Sequence, residues 1–253
     1  LINVLIIFFT CILSPPNNWD SMTYHMARIQ HWIQNNSIDF FITNNDRQNL
    51  LAPFGEYLIL HFQILSKSDL FVNLIQWFSF IINILTITLI TKEFDLKKEF
   101  QLKAGFLVSC IPTAILQASS TKNDIILCSF ILLFYYYQIR LAKSQNFKYL
   151  ILSGLALGLG GLTKTTAFLF LFPIGFTFFL FSFIKSPQYL RSKIFFQAIL
   201  VIIIGFTVNL PHFLRTKLAF GNFLGMHGEV QSQVLNNQFS LFTIFSNFIR
   251  HVA

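Results

Sequence analysis

Two long apolar runs constrain this chain more than anything else in it. Residues 104–142 and 149–184, drawn as single helices, would extend about 58 Å and about 54 Å, against a bilayer core of roughly 30 Å. Each must turn back on itself, and each offers one place to do so. The first is interrupted by Ser119-Ser120-Thr121-Lys122-Asn123-Asp124 and the second around Lys164-Thr165-Thr166. Both read as helical hairpins with polar tips. Of the 253 residues, 54% are hydrophobic and only 11% charged, whereas soluble chains carry about 25% charged residues. With 33 Phe besides, the composition excludes a soluble domain and implies an all-α, polytopic transmembrane bundle.

A crossing takes about 20 residues. That ruler predicts spans near 1–14, 69–91, 104–118, 125–142, 149–163, 165–184 and 194–210. Residues 1–14 lack the basic flank and cleavage site of a signal peptide and read as a shortened first helix. The chain opens at Leu1 inside an apolar run and stops at Ala253 in an amphipathic stretch, so it reads as a piece of a longer protein. The expected layout is one transmembrane domain over 1–253: an outer loop at 15–68, a helical core at 69–210 and the start of an outer C-terminal part at 211–253.

Sidedness follows from the basic residues. Ten of the 18 Lys and Arg lie in three connectors, 92–103, 140–148 and 185–193, and the positive-inside rule turns these to the cytoplasm. Lys plus Arg exceed Asp plus Glu by 18 − 10 = 8. Because the excess sits in these connectors, it reports topology and gives no basis for nucleic-acid binding. Helix alternation then brings the loop 15–68, both hairpin tips and the tail 211–253 to the opposite, outer face. The eleven-residue run 55–65, with Glu56 and His61 inside it, is too short to cross and reads as interfacial. In residues 20–36, Met22, Met26, Ile29 and Ile33 recur at helical spacing while Asp20, Tyr24, Arg28 and His31 form a polar strip, the pattern of a helix lying on the membrane with its apolar side down.

Charged groups placed at a lipid–water boundary are the candidates for chemistry. Asp20 opens the surface helix, where it is either an N-cap or a general base. Asp124 closes the tip Lys122-Asn123-Asp124, either as a solvated turn and cap or as a second acid. A charge at the centre of a membrane helix costs roughly 2.5–3.5 kcal/mol on insertion scales, so Lys164 is either paired and functional or snorkels to the interface. Its context, Gly154 through Gly158, Gly160 and Gly161, carries the small residues that let helices approach closely. Arg28, Arg47, Lys67, Lys122, Lys164, Arg215 and Lys217 on the outer side are cations suited to a phosphate headgroup, and individually each is also a plausible membrane anchor. The three cysteines are widely spaced in apolar runs and the six histidines lack metal-ligand spacing, so no metal site is assigned.

The pattern resembles the polytopic glycosyltransferases of the GT-C class, in the bacterial branch related to protein O-mannosyltransferases and lipid A aminoarabinose transferases. The segments that carry the resemblance are Asn18-Trp19-Asp20-Ser21-Met22-Thr23-Tyr24-His25-Met26-Ala27-Arg28, Gln117 to Asp124, Gly158 to Lys164 and on to Pro173, and Asn209-Leu210-Pro211-His212 with Arg215. The last looks like the exit from the core. The resemblance implies an inverting transfer of sugar from a polyprenyl-phosphate donor to a lipid, glycan or protein acceptor, in a bacterial inner membrane, on the extracytoplasmic side. It puts the catalytic acid at Asp20, and Asp124, whose hairpin tip returns to the same face, is the second catalytic candidate. Donor and acceptor contacts fall to Tyr24, His25, Arg28, Arg47, Glu56, Lys122, Asn123, Lys164 and Arg215. Many members carry Asp-Glu where this chain has Asp20-Ser21, leaving the second acid's role to Asp124 or Glu56. Expected partners are the lipid-linked donor and membrane lipid. No cofactor is assigned, and dependence on a divalent metal is not legible. The competing classes are a secondary transporter using Asp124 and Lys164, and a non-catalytic membrane subunit.

Overall fold

The computed structural model describes residues 2–223, 225 and 240–252, with the backbone alone at 248 and 250–252. Residues 224 and 226–239 of the expected outer tail lie outside the described residues. The described chain is all-α. It divides into two compact units, Leu1–His212 and Phe213–Ala253.

In the first unit, α1 (Ile2–Leu13) leads into a helix with a π-turn at Ser21–His25, continued by α2 (Met26–Asn35). Two loop helices follow, α3 (Arg47–Leu50) and α4 (Phe54–Ser66). The bundle itself is α5 (Leu74–Glu93), α6 (Lys98–Ser109), α7 (Pro112–Gln117), α8 (Asp124–Ser144), α9 (Phe147–Thr163), α10 (Ala167–Lys185) and α11 (Gln188–Phe220). In the second unit, α12 (Leu241–Val252) carries Phe242, Phe245 and Ile249 exposed on it. Among the described residues, α5, α8, α10 and α11 are long and apolar enough to cross a membrane, and α1 and α9 are shorter apolar helices. The protein is an integral membrane protein.

The core of the bundle is a leucine–phenylalanine seam. Leu127, Phe134 and Leu141, one heptad apart on α8, meet Leu150 and Leu157 of α9 and Leu171 of α10. Close approach of α9 to α11 depends on missing side chains: a Cβ on Gly154 would stand 2.7 Å from Ile204 Cβ, and one on Gly158 2.7 Å from Val208 Cβ. Asn209 Nδ2 fastens the crossing, donating to Gly158 O at 2.8 Å and Gly205 O at 2.9 Å. Outward faces of α10, such as Leu169, Phe172 and Phe176, remain exposed, as a surface solvated by lipid requires.

Three expectations need correction. The span expected at 104–118 is two helices, because Ile111 is extended (ψ 117°) ahead of Pro112, the conformation that a following proline imposes. The span expected at 194–210 is longer, since α11 continues through Pro211 to Phe220, past the boundary of the first unit at His212. In a membrane one lost backbone bond is a smaller cost than an unwound segment of unsatisfied groups. The surface helix buries its apolar face in protein instead of lipid: Met26, Ile29 and Trp32 pack on Ile59 and Leu60 of α4, and on Val72, Ile75 and Ile126. An i→i+5 turn also holds one residue more than an α-turn. The π-turn therefore breaks the 3.6-residue phase, so Met22 is exposed while Ser21, His25 and Arg28 turn inward.

Candidate functional site

Four separate stretches meet at one end of the bundle: the π-turn, the N-terminal half of α4, the hairpin tip that begins α8 and the one that ends α9. Asp20 has helical dihedrals and makes no capping bond. Its carboxylate instead pairs with Lys122 Nζ at 2.9 Å, the two side chains being 30% and 27% exposed. Asp124 is the first residue of α8, and its Oδ1 pairs with Lys164 Nζ at 2.7 Å, with the side chains 40% and 46% exposed. Lys164 stands just beyond α9 in extended backbone (φ −159°, ψ 124°), with its N–H bonded to Gly160 O. It is therefore a hairpin-tip charge outside any helix centre. Two carboxylates and two ammonium groups thus line up as two neighbouring pairs, joined through the residues 122–124.

Behind them lies a buried layer. Glu56 and Arg28 are each 1% exposed. Glu56 Oε1 faces His25 Nδ1 at 2.6 Å and Arg28 Nη1 at 3.7 Å, and Asn123 Nδ2 stands 3.4 Å from both of its oxygens. Arg28 Nη2 donates to Asn49 O at 2.8 Å and Leu51 O at 2.7 Å, and its guanidinium lies 5.1 Å over Trp32. Expected as part of a polar strip on the surface helix, Arg28 instead braces the loop after α2 from within, because its fork is engaged by two carbonyls and a buried carboxylate. His31, expected on the same strip, stacks on Phe41 at 4.2 Å.

The electrostatics separate the two layers. Burial raises the Asp20 carboxyl, but the hydrogen bond and charge of Lys122, together with the Tyr24 hydroxyl, outweigh it and hold Asp20 below its ordinary value. Tyr24 is pushed up, first by burial and then by the Asp20 carboxylate, with Asp124 adding to this and Arg47 opposing it. Tyr24 thus lies within the field of all three. Arg47 is exposed at the start of α3. Glu56 is raised by burial and more than compensated by His25 and Arg28, which keep it ionised below the usual glutamate range.

Three contacts at this end went unread in the sequence. Ser21 is fully buried, and its Oγ accepts from Thr121 Oγ1 at 2.5 Å. The position where the resembled family often carries a second acid is here a latch between outer loop and hairpin tip. Asn18 Oδ1 supports it by accepting from Ser21 N at 2.9 Å. Gly55 is the third: a Cβ there would fall inside the Asn123 carboxamide, so only glycine lets Asn123 reach Glu56. A glycine in the first turn of a helix, next to its one buried acid, was the available signal. Arg215 lies on α11 in the second unit. Among the described residues, no three His, Cys, Asp or Glu side chains gather as a metal-ligand set.

The far end of the same bundle has its own charges. Arg140 Nη1 pairs with Glu93 Oε1 at 2.8 Å and Nη2 donates to Tyr149 Oη at 2.7 Å, tying the ends of α5 and α8 to the start of α9. Twenty-one helical residues, about 30 Å, separate the two ends along α8.

The membrane-spanning helical bundle thus carries two carboxylate–ammonium pairs, part exposed, at one end. Residues 51–212 match the dolichyl-phosphate-mannose-protein mannosyltransferase family, and the chain belongs to that family. It is a glycosyltransferase of the type that draws sugar from a lipid-linked donor. The matched stretch contains Glu56, Lys122, Asn123, Asp124 and Lys164, while Asp20 and the π-turn precede it. No curated protein and no solved structure matches the chain.

Proposed function

We propose that the chain transfers a sugar from a polyprenyl-phosphate carrier to an acceptor hydroxyl at the extracytoplasmic face of a bacterial inner membrane, with inversion at the anomeric carbon. The observation that carries the reading is the adjacency of the Asp20–Lys122 and Asp124–Lys164 pairs at the end of the bundle remote from the basic connectors. A lipid-linked donor stays in the bilayer, so its phosphate arrives at the level where helices end and polar tips begin. Asp20 takes the proton of the acceptor hydroxyl as that oxygen attacks the anomeric carbon. The bond from that carbon to the phosphate oxygen breaks, and Lys122, Lys164 and Arg47 stabilise the charge gathering on the departing polyprenyl phosphate. Asp124 holds Lys164 in place for this. Glu56, His25, Arg28 and Asn123 form the rigid floor that fixes the tip residues.

The transporter alternative calls for charges near the bilayer midplane, whereas Asp124 opens α8 and Lys164 follows the last residue of α9. The test is transfer of radiolabel from a polyprenyl-phosphate sugar by the protein in nanodiscs. Asp20→Asn should lower the rate by about 10²–10⁴-fold, the usual contribution of a general base. Undiminished transfer by that variant removes Asp20 from the chemistry, and sugar uptake into proteoliposomes without transfer would favour the transporter.

A further inference from the structure

Burial alternates through the tip that begins α8. Thr121 and Asn123 are buried, at 0% and 6% exposed, while Lys122 and Asp124 are part exposed. The inward residues fasten the tip and the outward residues carry the charges. Asn123 reaches Glu56, whereas Thr121 reaches the fully buried Ser21, one hundred residues earlier in the chain, donating from Oγ1 to Ser21 Oγ at 2.5 Å. Each partner in that bond is the chain neighbour of a partner in the Asp20–Lys122 ion pair. Residues 20 and 21 therefore meet 122 and 121 as two consecutive rungs, the first ionic and part exposed, the second neutral and buried.

The two rungs differ in what they can fix. A lysine ammonium rides on a long flexible stem, so the ionic rung forms over a wide range of backbone separations. Being part exposed, it also has little strength of its own, because solvent screens it and two long side chains must be ordered to make it. Hydroxyls carried directly on Cβ reach bonding distance only when the two backbones stand close and in one register. Both are buried, so neither finds water if the bond opens, and opening is penalised. The neutral rung thus sets the separation, and the ionic rung takes the geometry it is given. Each end is braced. Beside the π-turn, Asn18 Oδ1 accepts from Ser21 N at 2.9 Å and Asn18 O accepts from Met22 N at 3.0 Å. On the tip, Ser120 Oγ donates to Gln117 O at 2.9 Å and accepts from Lys122 N at 3.3 Å, while Cys11 Sγ of α1 donates to Ala118 O at 3.4 Å.

We infer that Ser21 and Thr121 are positioning residues for the transfer reaction: their buried hydroxyl bond holds Asp20 and Lys122 at one separation and so fixes where the base stands. This rests on the glycosyl-transfer reading above. The groups facing Asp20 are Lys122 from the tip and Tyr24 and His25 from its own helix, with Asp124 and Arg47 acting on Tyr24. Burial raises the Asp20 carboxyl and Lys122 leads the influences that more than compensate. Once the neutral rung is removed the tip is free to draw back, both effects weaken, and Asp20 returns upward toward its ordinary value.

The test is the titration of Asp20 in the whole chain in nanodiscs, read by NMR from isotope-labelled aspartate carboxyl carbons and assigned by the signal that Asp20→Asn removes. Thr121→Val keeps the shape and removes the donor, but it strands the Ser21 hydroxyl. Combining it with Ser21→Ala removes both hydroxyls, so the double variant should melt near the wild-type temperature. In the double variant Asp20 should titrate at higher pH, in the direction of Lys122→Gln, whereas Thr121→Ser, which keeps the donor, should titrate as the wild type does. Because both single changes open the same bond, their shifts should not add. An Asp20 titration identical in double variant and wild type overturns the inference, and so does a shift in Thr121→Ser as large as that in Thr121→Val. Transfer of labelled sugar supplies the second readout. The double variant should be about tenfold slower, since a displacement of about 1 Å near a reacting group can cost as much as 10²-fold. Absence of transfer by the wild type strikes at the transfer reading, whatever the titrations show. Equal transfer by wild type and double variant strikes at the positioning role alone.

Discussion

Lys122 sets the working form of Asp20. With the ammonium 2.9 Å away, the carboxylate is lowered below its ordinary value despite burial, so it is ionised at neutral pH. The acid limb of kcat/KM should therefore fall below the ordinary aspartate value of about 3.9. In Lys122→Gln the lowering influences of hydrogen bond and charge are gone while burial remains, so the limb should move to higher pH; a limb that stays where it was would mean that Asp20 is not the titrating group. Glu56 obeys the same sign. Its folded pKa is depressed, so its stabilising contribution is complete above the unfolded value of about 4.3 and is lost as pH falls through the lower folded value. Glu56→Gln leaves Arg28 and His25 facing no carboxylate and should cost about 3–5 kcal/mol, the usual consequence of breaking a buried pair. Thermal unfolding in detergent should show a lowered midpoint together with a flatter acid dependence, and an unchanged midpoint would remove the buried layer from the scaffold. At this scale the sequence was partly legible. Asp20, Lys122, Asp124 and Lys164 stand out because charges are scarce in an apolar chain. Their pairing was not legible, since it depends on three stretches meeting in space. The inward turn of Arg28 was hidden too, because it follows from one extra residue in a π-turn.

Among the elements, the contact between α4 and the start of α8 is decided by a hydrogen atom. Alanine at Gly55 would gain about 1 kcal/mol of helix propensity, but its Cβ would overlap the Asn123 carboxamide, and such overpacking costs about 1–3 kcal/mol. The clash wins or, at least, is relieved by moving Asn123 and with it the flanking Lys122 and Asp124. Gly55→Ala should therefore lower the transfer rate more than it lowers the melting temperature; full activity would show that the tip tolerates displacement. Gly158→Leu tests the α9–α11 crossing in the same way. Its side chain meets Val208 and the Gly205 carbonyl, so the variant should lose stability outright. The hairpins were readable because each long run has a single polar interruption. The kink at Ile111 and the passage of α11 through Pro211 show why proline alone misleads: the first follows from the restriction on the preceding residue, the second from the high cost of unwinding in lipid.

For the molecule as a whole, the two ends of the bundle differ in kind. One carries the Asp20 and Asp124 pairs, and the other carries Arg140, Glu93, Lys143 and the basic connectors. In a chain whose three native cysteines are replaced, Arg47→Cys should react with an impermeant maleimide added outside intact cells, whereas Lys97→Cys should react only after permeabilisation. The reverse pattern would invert the proposed orientation. The chain has a formal excess of eight positive charges, yet at this end two ammonium groups are each matched by a carboxylate. In the proposed reaction an incoming phosphate would compete with each carboxylate for its lysine. As it draws Lys122 away and adds its own negative charge, Asp20 regains proton affinity. Under the proposed mechanism, occupancy would arm the base, whereas the empty enzyme would keep a weak one. The signature is a split between two titrations: the acid limb of kcat, which belongs to the donor-bound enzyme, should lie at higher pH than that of kcat/KM, which belongs to the free one. Coincident limbs would mean that the salt link survives the arrival of substrate.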